Sequence, residues 1–199
     1  MEEMKFLDSL VECLKKLPGV GSKTATRYAY YILERFSEED IEQMCSVLKE
    51  TKEKVHKCPI CGMYTTGEVC DICSSSLRDK TKILVVKDVK DLLSIEKTHQ
   101  YNGLYHVLGG LISAIEGITP DKLNIDTLDA RINDSIDEVI IATSLTPQGD
   151  ITSLYIEKIL AKYNIKISRI GYGMPAGSDL EYADELTIKR ALDYRVVSK

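Results

Sequence analysis

The 199-residue sequence has no tryptophan, two phenylalanines and five prolines, and no apolar run near the roughly 20 residues that span a bilayer. We therefore expect no membrane helix and no membrane partner. The opening residues Met1-Glu2-Glu3-Met4 are acidic where a secretory signal would be basic, so we expect a cytoplasmic protein. The sequence also lacks GxxxxGK[ST] and the glycine spacing of dinucleotide-binding folds, which leaves nucleotide use without support.

Positive charge is in deficit as well, because 26 Lys and Arg residues face 31 Asp and Glu residues and give a net charge of −5. A surface that is basic all over is excluded, so any contact with nucleic acid must come from a local patch. With 44% hydrophobic residues, the chain can bury a core and fits one modest domain with smaller appendages. Eleven tyrosines are the main aromatic side chains available for stacking on bases.

Four of the six cysteines form two CxxC pairs separated by eight residues: Cys58, Cys61, Cys70 and Cys73. Two such pairs can supply all four ligands of a tetrahedral zinc ion, and a site filled by cysteine has no open position for substrate. The spacing therefore predicts a structural zinc centre that folds a short segment. The alternative is a pair of disulfides, but Cys13 and Cys45 fall inside helical patterns and no secretory signal is recognisable, which favours a reducing compartment.

A basic stretch interrupts the acidic background between Lys15 and Arg35, where Glu34 is the single acid. Within it, residues 17–23 (LPGVGSK) separate two segments of helical period and predict a helix, a tight hairpin and a second helix. A third helix is predicted from residue 38 to about residue 55, with Ser37 as its N-cap.

The hairpin has the form of a helix-hairpin-helix, a motif that contacts the DNA backbone without reading its sequence. We expect Gly19 and Gly21 to take positive φ angles and to leave their amides open to a phosphate, with Ser22 as the N-cap of the second helix. Lys23 and Arg27 are four residues apart and share a face near the positive end of the helix dipole. The same residues also fit an ordinary two-helix corner with solvated charges.

The chain after the cysteines alternates between apolar strands and helices. Strands are predicted at residues 82–86, 104–108, 139–143 and 165–170, with helices between them. Such alternation indicates a mostly parallel sheet, in which binding sites gather at the carboxyl ends of the strands. His106 lies among apolar strand residues and is interpreted as a core or edge histidine, whereas His56 beside the first cysteine is interpreted as a bystander.

Two further motifs, together with the hairpin and the cysteines, give the chain an order of segments that is typical of one protein family. One is Tyr105-His106-Val107-Leu108-Gly109-Gly110, and the other runs Gly173-Met174-Pro175-x-Gly177-x-Asp179-Leu180-Glu181-Tyr182-Ala183-Asp184-Glu185. With the hairpin and the cysteines, they make nearly the whole chain closely resemble the RecR family of bacterial recombination mediators.

The resemblance implies a multi-module α+β protein. Its parts would be a helix-hairpin-helix region (1–56), a C4 zinc finger (57–80), an α/β Toprim domain with a mostly parallel sheet (81–176) and a helical C-terminal assembly segment (177–199). It also implies ring tetramers that bind single- and double-stranded DNA and act with RecO and RecF to load RecA onto single-stranded gaps during DNA repair. From residue 186 to residue 197 the apolar spacing is helical, and this tail can pack on its own sheet or on a neighbour's.

Toprim domains also occur in enzymes, where a Glu after the first strand and an Asp-x-Asp after a later one bind magnesium. Here Lys87 stands where RecR proteins usually carry the Glu, followed by Asp88, and Gln148 and Asp150 occupy the region where the family has Glu-Gly-Glu. A lysine repels Mg²⁺ and can pair with phosphate or with Asp150. We expect weak or no magnesium binding and no catalytic residue, with this vestigial surface contacting a partner protein.

Two other functions stay open at this point. One is a magnesium-dependent Toprim phosphotransferase or nuclease, against which Lys87 argues. The other is a purely structural assembly protein whose hairpin contacts only its neighbours in a ring.

Overall fold

The computed structural model describes residues 4–171, 173–174 and 177–195 and divides the chain into two units, Met1–Val55 and His56–Lys199. The first unit is helical, with α1 (Lys5–Leu14), α2 (Ser22–Arg35) and α3 (Glu38–Lys54). Helices α1 and α2 form the predicted hairpin, and Ala25 and Ala29 of α2 are fully buried. None of the residues of α3 is buried.

The helix ends in the first unit agree with the predictions at α3 and differ at α2. Ser37 caps α3, because its hydroxyl accepts the Asp40 N–H at 3.1 Å while its own N–H donates to the Asp40 carboxylate at 2.9 Å. The predicted cap at Ser22 is wrong, since Gly21 is the N-cap and Ser22 is the first helical residue. Gly19 has the expected positive φ of 79°, but Gly21 is extended, with φ −80° and ψ 171°.

The second unit contains the remaining described elements. They are β1 (His56–Lys57), β2 (Tyr64–Thr65), α4 (Asp71–Ser74), β3 (Asp79–Val86), α5 (Val89–Glu96), β4 (Gly103–Val107), α6 (Asp126–Arg131), β5 (Glu138–Ala142), α7 (Pro147–Leu160), β6 (Lys166–Arg169) and α8 (Glu185–Asp193), with 3-10 turns at Pro120–Lys122 and Leu180–Tyr182. Each predicted strand is present with slightly shifted ends. In the described part of the chain no helix is both long and apolar enough to cross a membrane.

Four strands form a parallel sheet in the order β4-β3-β5-β6, which confirms the predicted architecture. Strand β3 is central, and Leu84 pairs with Tyr105 on one side and with Ile140 on the other. Its last four residues are all buried, as expected for a strand covered on both faces. β1 and β2 form a separate antiparallel hairpin.

The two faces of the sheet have separate cores because successive side chains of β3 point to opposite sides. Ile83 and Val85 pack on one face with α6 and α7, whereas Leu84 and Val86 pack on the other with α5. Met63 and Ile72, from the cysteine-rich segment, pack against this second face. The cysteine-rich segment is therefore part of the layer that covers the sheet.

The C-terminal segment contains the predicted helix, α8, which Asp184 caps by accepting the Thr187 N–H at 2.9 Å. Arg190 of α8 contacts α7 of its own chain through Asp150, at 2.6 Å. Residues 175–176 of the second sequence motif and residues 196–199 of the C-terminal segment lie outside the described residues.

Candidate zinc centre and nucleic-acid surfaces

The four predicted cysteine ligands come together in one cluster. The Sγ atoms of Cys58, Cys61, Cys70 and Cys73 all lie within 4.8 Å of one another, and those of Cys61 and Cys70 are 3.5 Å apart. Zinc–sulfur bonds of about 2.3 Å in a tetrahedron place the sulfurs about 3.8 Å apart, so the cluster has the size that zinc needs. Cys58, Cys61 and Cys70 are buried, and His56 is not part of the group.

The chain folds locally to aim the sulfurs inward. Gly62 has a positive φ of 79° and donates its N–H to the Cys58 carbonyl at 2.9 Å, which closes the first turn. The Met63 N–H then points at Cys61 Sγ, 3.4 Å away. In the second pair, the Ser74 N–H donates to the Cys70 carbonyl at 3.0 Å and begins the short helix α4.

The electrostatics of the cluster suit a metal cation. A hydrogen bond with Cys73 lowers the pKa of Cys61, which favours the thiolate form that a metal binds. Burial raises the pKa of Cys70 to about 11, and hydrogen bonding to Cys61 raises the pKa of Cys73. Four neighbouring thiols do not all ionise unless a metal compensates their charge. The residues thus fit zinc, which serves as a structural ion in this closed site of four cysteines.

Arg131 of α6 adds a cation beside the cluster that the sequence did not reveal. Burial lowers the pKa of its guanidinium, and the four cysteines oppose that shift through their charge. One guanidinium nitrogen donates to the Tyr105 carbonyl at 2.7 Å and lies 3.1 Å from Nδ1 of His106. A zinc ion with four thiolates carries a net charge of about −2, which this guanidinium partly balances.

The zinc segment is attached to the edge strand β4. The Val107 N–H donates to the Cys61 carbonyl at 2.7 Å, and a Cβ at Gly62 would lie 3.0 Å from the Val107 carbonyl oxygen. His106 is fully buried and its Nε2 bonds to the Asn124 carbonyl; burial lowers its pKa to about 4, so it is neutral. The structure therefore agrees with the interpretation of His106 as a core residue.

The start of α2 offers an open cationic surface. Gly19 and Gly21 are exposed, and a Cβ at either would meet no atom within 4 Å. Helix α2 has no acidic residue in its first turn and no side chain on its N-terminal amides. Lys23 and Arg27 are exposed one turn apart, and the Arg27 guanidinium lies 5.5 Å from the centre of the Tyr28 ring. The four predicted residues are therefore grouped around one helix end.

The vestigial surface at the carboxyl ends of β3 and β5 is occupied by ion pairs. Lys87 Nζ lies 3.3 Å from the Asp88 carboxylate, and Asp88 also caps α5. The suggested pairing of Lys87 with Asp150 is wrong, because Asp150 binds Arg169 at 2.7 Å and Arg190 at 2.6 Å.

These pairs determine what the surface can do chemically. Burial works against ionisation of Asp150, but Arg169 and Arg190 outweigh it and hold the pKa of this carboxyl below its usual value. Gln148 is half-buried, and its backbone carbonyl accepts the Thr152 hydroxyl at 2.6 Å. A magnesium ion at Asp150 would have to displace two arginines. Both arginines are distant from Asp150 in the sequence, so these ion pairs could not be predicted from the sequence.

Comparison with known proteins accounts for almost every part of the chain. Family models match the helix-hairpin-helix region of RecR at residues 7–52, the four-cysteine zinc finger domain of RecR at 55–75, a Toprim domain at 81–171 and the C-terminal region of RecR at 173–196. Recombination protein RecR of Lactobacillus acidophilus is 46% identical over 188 residues, 94% of each chain. Recombination protein RecR of Treponema denticola is 44% identical over 194 residues, 97% of this chain and 99% of the relative.

Proposed function

The chain belongs to the RecR family of recombination proteins, and on this premise we propose that it is a recombination mediator in DNA repair. It binds DNA as a non-enzymatic clamp and adaptor and acts with RecO and RecF to load RecA onto single-stranded gaps. It acts in the cytoplasm, on the DNA of the nucleoid. In this proposal residues 1–56 bind DNA and residues 57–80 bind zinc. Residues 81–176 bind partner proteins, and residues 177–199 take part in assembly.

The open start of α2 is the observation that carries this proposal. A DNA phosphate there would meet the free amides near Gly19 and Gly21, the positive end of the helix dipole, and the ammonium and guanidinium of Lys23 and Arg27. All of these groups recognise the phosphate backbone and none reads a base edge. The proposal therefore includes both single- and double-stranded DNA, without sequence preference.

Assembly into a ring raises the affinity for DNA above that of a single hairpin. A protein of net charge −5 repels DNA overall, so a single pair of cations gives weak binding. Several hairpins in one ring tetramer would bind the same DNA molecule together and multiply the affinity. A strict monomer that binds DNA with full affinity would contradict this part of the proposal.

The absence of catalysis is proposed from the ion pairs at the vestigial surface. The enzymatic alternative requires carboxylates free to bind magnesium, whereas Asp88 caps a helix beside Lys87 and Asp150 is paired with two arginines. We assign Lys87, Asp88, Gln148 and Asp150 to contact with a partner protein. A Gln148→Ala variant should then bind immobilised RecO or RecF more weakly while its affinity for DNA stays the same.

A gel assay tests binding and catalysis in one experiment. Labelled single-stranded and gapped DNA is mixed with the zinc-containing protein at low salt in the presence of magnesium. We expect a shifted band of intact DNA. Magnesium-dependent cleavage that is lost in Asp150→Ala would contradict the non-enzymatic function, and no shift at any protein concentration would contradict DNA binding itself.

A further inference from the structure

A cleft of 580 Å³ lies between the zinc segment and the carboxyl ends of β3 and β4. Its walls include Lys57 and Tyr64 of the zinc hairpin, Lys90 at the start of α5, Gly109 after β4, and Lys122. Asp88 of the vestigial surface lines it, whereas Lys87, Gln148 and Asp150 do not, so the cleft adjoins that surface and shares one residue with it. Its volume suits a ligand of the size of one nucleotide.

The charge of the cleft opposes that of the whole protein. Three lysines line it against one acid, Asp88, which is already paired with Lys87 at 3.3 Å. Lys57 and Lys90 form no salt bridge within the described residues, and Lys122 uses one N–H to bond the Gly117 carbonyl at 2.9 Å. An ammonium group has three donors, so Lys122 retains two for a ligand. The cleft is therefore suited to an anion.

Lys57 lies close to Gly109 at the end of β4. The φ of Gly109 is +84°, a conformation that side chains disfavour, and a Cβ there would lie 3.9 Å from Lys57 Nζ. The Lys57 ammonium is therefore near the backbone at the end of β4. Lys90 lines the same cleft from the start of α5, the helix that follows the neighbouring strand β3.

Tyr64 adds an aromatic wall next to this charge. It pairs directly with Lys57 across the hairpin of β1 and β2, so the two side chains stand on the same face. Tyr64 is 54% exposed, which leaves its ring available for stacking. An exposed ring beside lysines is the combination that single-strand-binding proteins use, with bases on the ring and phosphates on the cations.

We propose that this cleft binds one nucleotide unit of a single DNA strand, with its phosphate on Lys57, Lys90 and Lys122 and its base against Tyr64. The inference rests on the proposed DNA binding and deepens it by adding a contact that selects single strands. A base within a duplex is stacked and paired, and is not free to turn onto Tyr64. A free nucleotide supplies the same chemistry, but the sequence has no phosphate-binding glycine loop for one.

Photo-crosslinking tests the aromatic contact. The zinc-containing full-length protein is irradiated with an oligo-dT strand that carries 5-iododeoxyuridine, and the peptides are mapped by mass spectrometry. We expect a crosslink on Tyr64, in the tryptic peptide 58–78, which disappears in Tyr64→Leu. Crosslinks confined to the α1–α2 hairpin would overturn the proposal.

Salt-dependent binding tests the lysines against a control of equal charge. Lys57→Gln/Lys90→Gln is compared with Lys80→Gln/Lys158→Gln, two exposed lysines outside the cleft, and zinc content verifies the fold of each. For the single strand, the slope of log K against log salt should fall by about 1.4 and the affinity by roughly 25-fold at 0.1 M salt. Duplex binding should not change.

The outcomes separate this proposal from the general DNA-binding function. If both double variants bind a single strand equally, the cleft is overturned, while a loss in Lys23→Gln/Arg27→Gln would leave the general function standing. If the wild-type protein binds no DNA, both fail. If titration shows that dTMP or ATP binds the cleft but a strand does not compete for it, the single-strand assignment is overturned in favour of a free nucleotide.

Discussion

Removal of zinc should loosen the edge strand β4 specifically, because the zinc segment covers that edge. The perturbation is chelation of the metal in the intact protein, verified by measuring the zinc released. The Val107 N–H would lose its acceptor at Cys61, 2.7 Å away, and Met63 and Ile72 would leave the second face of the sheet. The assay is hydrogen exchange of the Val107 amide, which reports this attachment directly.

The magnitude follows from these contacts. One hydrogen bond contributes about 1 kcal/mol, and the half-burial of Met63 and Ile72 contributes about 1 kcal/mol each. The opening free energy at Val107 should therefore drop by about 3 kcal/mol, which accelerates exchange roughly 150-fold. The control is the Ile170 amide, which donates to Ile141 at 3.0 Å at the opposite edge of the sheet and should change little.

Two results would refute this reasoning. Unchanged exchange at Val107 after complete loss of zinc would mean that the zinc segment stays attached to β4 without metal. Equal acceleration at Val107 and Ile170 would mean that zinc supports the whole unit rather than one edge.

Three further perturbations have defined outcomes. Arg131→Leu should lower zinc affinity by about 10- to 100-fold in a chelator competition, since it removes the cation beside the thiolates; unchanged affinity would leave Arg131 without a role at the metal. Gly149→Ala should lower the thermal midpoint markedly, because a Cβ there would overlap the Ser144 carbonyl oxygen, whereas Gly171→Ala, with open space around it, is the control. Asp150→Asn should destabilise the protein at neutral pH. Because the pKa of Asp150 is lower in the folded state than in the unfolded state, its ion pairs stabilise the fold fully above the ordinary pKa of about 3.9. This stabilisation disappears as the pH falls through the lower pKa of the folded state. A stability difference between wild type and Asp150→Asn that persists in strong acid would contradict the ion-pair explanation.

The sequence predicted those features that depend on local spacing. The four zinc ligands follow from two CxxC pairs, the parallel sheet from apolar strands alternating with helices, and the cap of α3 from Ser37 ahead of acidic residues. Each of these signals is short-range and repeats a pattern whose physical cause is known.

Contacts between residues that are distant in the sequence were either not predicted or predicted incorrectly. The fold brings these partners together from distant parts of the chain, and no periodic pattern in the sequence connects Arg131 to Cys61, or Arg169 and Arg190 to Asp150. The pairing of Lys87 with Asp150 was wrong for the same reason. Gly21 was expected at positive φ, but the turn needs only one such residue, Gly19, and the N-cap position requires extended backbone at Gly21.

The most direct test of the central claim is the salt dependence of DNA binding by Lys23→Gln/Arg27→Gln. The control is Lys49→Gln/Lys52→Gln, which removes the same charge from exposed positions on α3. The account predicts that the first variant binds duplex DNA more weakly, with a slope of log K against log salt reduced by about 1.8, while the control follows the wild type. Equal affinity and equal slope in both variants would contradict DNA binding at the start of α2.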